Sequence, residues 1–64
     1  MSTIREELAA AAVRACRDMV RAAAAFGVDS APARQAAQRA QRALDAAESA
    51  GCTRADYARA RRTH

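Results

Sequence analysis

Sixty-four residues with a formal net charge of +4 allow one small basic domain and exclude a multidomain enzyme. Twenty-one residues are Ala, whereas Leu, Ile, Val and Phe together supply seven (Ile4, Leu8, Val13, Val20, Phe26, Val28 and Leu44). Ala is the best helix former but buries little apolar surface, so the chain reads as all-α, with helices that pack very closely or borrow surface from another chain.

The first helix is expected over 4–26. Thr3 and Glu6 form an S/T-x-x-E capping box. Glu6 and Glu7 fall in the first turn, where the helix dipole favours anions. Phe26-Gly27-Val28 reads as its stop, with Gly27 in the left-handed position and Val28 as the apolar contact after it. Within it, apolar residues recur at 4, 8, 11, 15, 19, 22 and 26, an eleven-residue repeat that gives a nearly straight stripe. Val13, Cys16 and Val20 lie on a second strip about 120° round the helix. One neighbouring helix cannot cover both strips. A homo-oligomer is therefore expected, a dimer first, with Leu8, Val13, Cys16, Met19, Val20 and Phe26 as the self-association residues.

The second helix is expected over 31–50. Ser30 is its N-cap, and Pro32 sits in the first turn, where its missing N–H costs nothing. The connection is so short that the two helices must form an antiparallel hairpin. Small residues repeat at heptad spacing: Ala33/Ala40/Ala47, Ala36/Ala43/Ala50, and Ala37/Leu44/Gly51. They predict a groove that lets the helix axes approach closely and receives the larger residues of the first helix. Arg34, Gln35, Gln38, Arg39, Gln41, Arg42, Asp45 and Glu48 form the opposite, solvated face.

Gly51 ends the second helix, and Thr53 with Asp56 caps a short third helix over 54–62. All eleven basic residues are Arg, a bias that a GC-rich genome would also produce. Four Arg against four acids leave 1–29 neutral, three against two give +1 over 30–50, and four against one give +3 over 51–64. The basic character thus sits at the C-terminal end.

No catalytic constellation is present, and the expectation is a non-enzyme without cofactor or metal. The one His is residue 64, and Cys16, Cys52 and His64 lack zinc-ligand spacing. In a hairpin centred near residues 28–29, Cys52 faces residue 5. Cys16 then lies about 16 Å away, beyond the reach of a disulfide. The uncharged runs are too short to span a bilayer and no export signal is visible, so a cytoplasmic protein with reduced thiols and no membrane partner is expected.

One motif points further. Ala47-x-x-x-Gly51-Cys52-Thr53-x-x-x-Tyr57-x-x-Ala60 resembles the helix-turn-helix pattern of bacterial repressors over about sixteen residues. The resemblance implies that Arg54, Ala55, Tyr57 or Arg59 meets a DNA major groove, with Arg61 and Arg62 on phosphates. Two classes of function follow: a self-associating adaptor or regulator that binds another protein, and a small DNA-binding regulator acting through 47–62.

Overall fold

In the computed structural model, which describes residues 3–63, the chain forms three helices: α1 (Ile4–Phe26), α2 (Ala31–Ser49) and α3 (Arg54–Thr63). Each starts at the cap its sequence announces. Thr3 Oγ1 accepts from the Glu6 N–H at 3.1 Å, and Ser30 Oγ accepts from the Ala33 N–H at 3.2 Å. Thr53 and Asp56 cap α3 reciprocally: the Thr53 N–H donates to Asp56 Oδ2 at 2.7 Å and the Asp56 N–H to Thr53 Oγ1 at 3.4 Å.

The two glycine stops differ. At the end of α2 the Gly51 N–H donates to the Glu48 carbonyl and the Cys52 N–H to the Ala47 carbonyl, each at 3.0 Å. With φ +87° at Gly51, this is the Schellman closure expected there. The end of α1 corrects the same expectation. Gly27 has φ +97° and ψ 150°, an extended mirror-image conformation outside the left-handed helical well. Val28 is 75% exposed. Instead Gly27 opens a turn: its carbonyl accepts from the Ser30 N–H at 3.2 Å and from the Ser30 hydroxyl at 2.7 Å. Ser30 thus closes the turn and caps α2 at once.

α1 and α2 run antiparallel, so Cys52 comes back to the start of α1, where its thiol donates to the Arg5 carbonyl at 3.2 Å. This is the register expected of the hairpin, and both cysteines are free thiols. α3 then runs parallel to α1. Asp56 near its start meets Arg5, while the Arg61 carbonyl near its end accepts from Arg17 Nη2 at 3.2 Å. Helix α1 packs against both α2 and α3, within an envelope of 36 × 22 × 18 Å.

Among the described residues, eight of the nine buried apolar ones are Ala, and the ninth is Val13. On α2 the buried positions are Ala33, Ala36, Ala40 and Ala47, while Ala37, Ala43, Leu44 and Ala50 are half-buried. All eight residues of the anticipated polar face are exposed. On α1 the burial departs from the longer of the two expected strips. The most buried residues are Ala9, Ala10, Ala12 and Val13, whereas Ile4 and Phe26, the ends of the stripe, are 71% and 65% exposed. The reason is that α1 is gripped from two sides. Ala9, Ala10 and Val13 pack with Ala60 of α3, and Cys52 and Tyr57 close over them. Ala12 is buried outside that cluster, and Leu8 and Met19 are half-buried.

Candidate functional site

Ala9, Val13, Cys16 and Val20 share one strip of α1, spaced four, three and four residues apart. α3 is ten residues long, about 15 Å, and covers only the N-terminal part of that strip. Beyond Cys16 the strip emerges from cover, and Val20 is 63% exposed. An apolar groove of ≈ 350 Å³ continues there between α1 and α2, lined by Met19, Val20, Ala23, Val28, Ala33 and Ala37.

The residues expected to drive self-association therefore separate. Val13 is 5% exposed and belongs to the core of a single chain. Leu8 and Cys16 are half-buried within the bundle. Met19 and Val20 line the open groove, with Val28 joining them from the turn. Phe26 is 65% exposed at the end of the same hairpin. Val28 was read from the sequence only as a helix stop. Its place in the groove follows from the extended conformation of Gly27, which has no sequence signal beyond the glycine itself.

The anticipated nucleic-acid residues also divide. Arg54, Arg61 and Arg62 are exposed on α3. Tyr57 points into the bundle, and its hydroxyl is buried with no hydrogen-bond partner. Burial raises the Tyr57 pKa, with the Cys52, Glu48, Asp56 and Cys16 side chains adding in the same direction. Arg59 is committed to Asp56 at 2.6 Å. The helix-turn-helix string thus has its turn and its cap, but α3 packs against α1, whereas the second helix of that motif packs against the first.

Asp56, expected from the sequence only as the capping partner of Thr53, has further attachments. Its carboxylate is 1% exposed, yet it is fully engaged: by the Thr53 backbone and hydroxyl, by Arg59 at 2.6 Å, and by Arg5 Nε at 3.3 Å across the α1–α3 junction. The Thr53 backbone hydrogen bond holds its pKa below the ordinary carboxylate range, helped by the Thr53 hydroxyl, Arg59 and Arg5 against the opposing effect of burial. Cys52 lies in the same junction, where burial and the nearby Asp56 raise its thiol pKa. These groups are consumed in holding α3 to α1. Beside them an open cleft of ≈ 430 Å³ carries Glu6 and Glu7 against Arg14 and Arg59, a mixed lining without a dominant sign. Among the described residues no group of three or more His, Cys, Asp or Glu is placed to hold a metal ion, and no helix is long and apolar enough to cross a membrane. Comparison with protein families, with known proteins and with solved structures found no match to this chain.

Proposed function

We propose that this protein is a non-enzymatic, self-associating helical module that works as a protein-binding adaptor or regulator. The observation that carries the reading is the open apolar groove. Met19, Val20, Ala23 and Val28 line it against Ala33 and Ala37 of α2, and Val20 and Val28 are 63% and 75% exposed. Val20, Phe26 and Val28 are three of the chain's seven large aliphatic and Phe residues, and each is more than half exposed. So small a domain gains little stability from an Ala core, and covering these side chains with a second chain supplies the missing apolar burial. A dimer is the first expectation, since two copies related by a twofold axis cover the same patch on each. Light scattering coupled to size exclusion tests it. The expected mass is a multiple of 6.8 kDa, and Val20→Glu should return the single-chain mass. A wild-type chain at 6.8 kDa overturns the reading.

The second reading, a DNA-binding regulator acting through 47–62, keeps Arg54, Arg61 and Arg62 as exposed cations. It loses Tyr57 and Arg59, which the bundle itself employs.

A further inference from the structure

Between Ser30 and Leu44 the chain has three Arg and no acid. The structure turns this stretch into a surface. Of the nine residues from 34 to 42, Ala36 and Ala40 are buried, Ala37 is half-buried, and the six exposed ones are Arg34, Gln35, Gln38, Arg39, Gln41 and Arg42. Every solvent-facing side chain in two and a half turns is therefore Arg or Gln. Among the described residues, the guanidiniums of Arg34, Arg39 and Arg42 form no ion pair or side-chain hydrogen bond, whereas Arg5, Arg21 and Arg59 are each paired with a carboxylate. The acids that follow do not reach back: the one link is a hydrogen bond from Gln41 to Asp45 at 3.0 Å.

We infer that this face of α2 is a binding surface for the phosphate backbone of duplex DNA. Uncompensated Arg on a rigid helix supplies the charge, and guanidinium is the side chain best fitted to phosphate. The geometry agrees. Arg34 and Arg39 project to opposite flanks, about 140° apart around the axis, with Arg42 between them, and the set spans about 12 Å of helix. A helix laid in a major groove about 12 Å wide turns such flanks toward the two phosphate walls and Gln35 and Gln38, which lie between them, toward the base edges. Other polyanions fit less well. The face carries no aromatic residue on which single-stranded bases could stack. It has no large apolar side chain to enter a lipid interface or to anchor an acidic protein. The major groove of A-form RNA is too narrow to admit the helix. Its six exposed residues are distinct from the α3 cations and from the residues that line the open groove.

Fluorescence-anisotropy titrations with a labelled mixed-sequence DNA duplex, run from low to moderate salt, test the inference. Wild-type affinity should fall linearly on a log–log plot against salt. The triple variant Arg34→Gln, Arg39→Gln, Arg42→Gln should flatten that slope by about three and weaken low-salt binding more than tenfold. Gln has nearly the helix propensity of Arg, so circular dichroism should show unchanged helicity. Gln38→Glu, one acid placed in the centre of the face, should weaken binding without touching any Arg. The triple Arg54→Gln, Arg61→Gln, Arg62→Gln should flatten the slope less than the α2 triple does. The inference is overturned by an α2 triple that binds like wild type, by a larger effect of the α3 triple, by no duplex binding at low salt, or by equal affinity for an RNA duplex.

Discussion

Arg5 and Asp56, fifty-one positions apart, meet at 3.3 Å and tie the first turn of α1 to the first turn of α3. The pair sits on a carboxylate that also caps its own helix and holds Arg59, so one buried acid serves three attachments. Its pKa is lowered in the folded chain, first by the Thr53 backbone hydrogen bond. Its stabilisation is therefore complete above the ordinary carboxylate pKa of about 4 and is lost as pH falls through the lower folded value. Cys52 and Tyr57 shift the other way. Their contribution is complete below the ordinary thiol and phenol values of about 8.5 and 10 and is lost as pH rises through the raised folded ones. Thermal melts should thus show a stability plateau from about pH 5 to 8. Asp56→Asn should lower the melting temperature on the plateau, and the gap to wild type should close at strongly acid pH. A gap of equal size at every pH would show that the charge of Asp56 is irrelevant.

Tyr57 packs beside Cys52 against the α1–α3 core, and its hydroxyl is buried without a partner. An unpaired buried hydroxyl costs about 1–3 kcal/mol, and Phe keeps the ring while removing it. Tyr57→Phe should stabilise the chain by about 1 kcal/mol, a rise of about 4–8 °C in melting temperature. Destabilisation of that size would mean that the hydroxyl is satisfied in solution.

The solvent-facing and packing faces of α2 were legible in the sequence because its small and polar residues alternate at heptad spacing and its one large apolar side chain, Leu44, falls on the packing face. Ala33, Ala36, Ala40 and Ala47 are buried, and every anticipated polar residue is exposed. The faces of α1 were less legible. Its second strip, Val13, Cys16 and Val20, was expected to meet another chain, while α3 lies parallel on that side and draws Ala9, Ala10 and Val13 inward. That return depends on where a helix of ten residues lands, which no local periodicity encodes. Asp56 illustrates the consequence: the capping pattern with Thr53 was visible, but the contact with Arg5 exists only once α3 has folded back. For the same reason the division of the self-association strip into a covered Val13 and an open Val20 could not be seen beforehand.

Ala40 is 2% exposed at the middle of the α2 seam, and Gln38, two residues earlier, faces solvent. Ala40→Leu should overpack the seam and cost about 1–3 kcal/mol. Gln38→Leu should stay within about 0.5 kcal/mol of wild type in denaturant melts, as surface substitutions do. Similar shifts for the two would contradict the Ala-to-Ala packing of the hairpin.

Both positive-φ glycines have open space where a Cβ would go, so the cost of adding one is purely conformational. Gly27 occupies a region that is nearly glycine-only, and Gly27→Ala should cost about 1–3 kcal/mol. Gly51→Ala should cost about 1–2 kcal/mol, the ordinary left-handed penalty. A synthetic chain with D-alanine at 51 should instead match or exceed wild-type stability, since the mirror residue prefers that φ and loses less entropy on folding. If the D-residue proved as costly as the L-residue, crowding and not backbone strain would be the cause.

Val13 and Val20 lie seven residues apart on the same strip, and one is 5% exposed while the other is 63% exposed. The same residue type on the same face should therefore report two different things. Val13→Ala removes two buried methyl carbons from the α1–α3 core and should cost about 2 kcal/mol, visible as a lower melting temperature at every protein concentration. Val20→Glu leaves the single-chain core intact and keeps a good helix former in place. In dilute solution it should change stability by no more than about 0.5 kcal/mol. At higher concentration the wild type gains stability from self-association by mass action, and the Glu variant should not. Melting curves over a hundredfold range of concentration separate the two effects. A wild-type melting temperature that does not move with concentration, together with a mass of 6.8 kDa, would leave Val20 uncovered and dispose of the self-association reading.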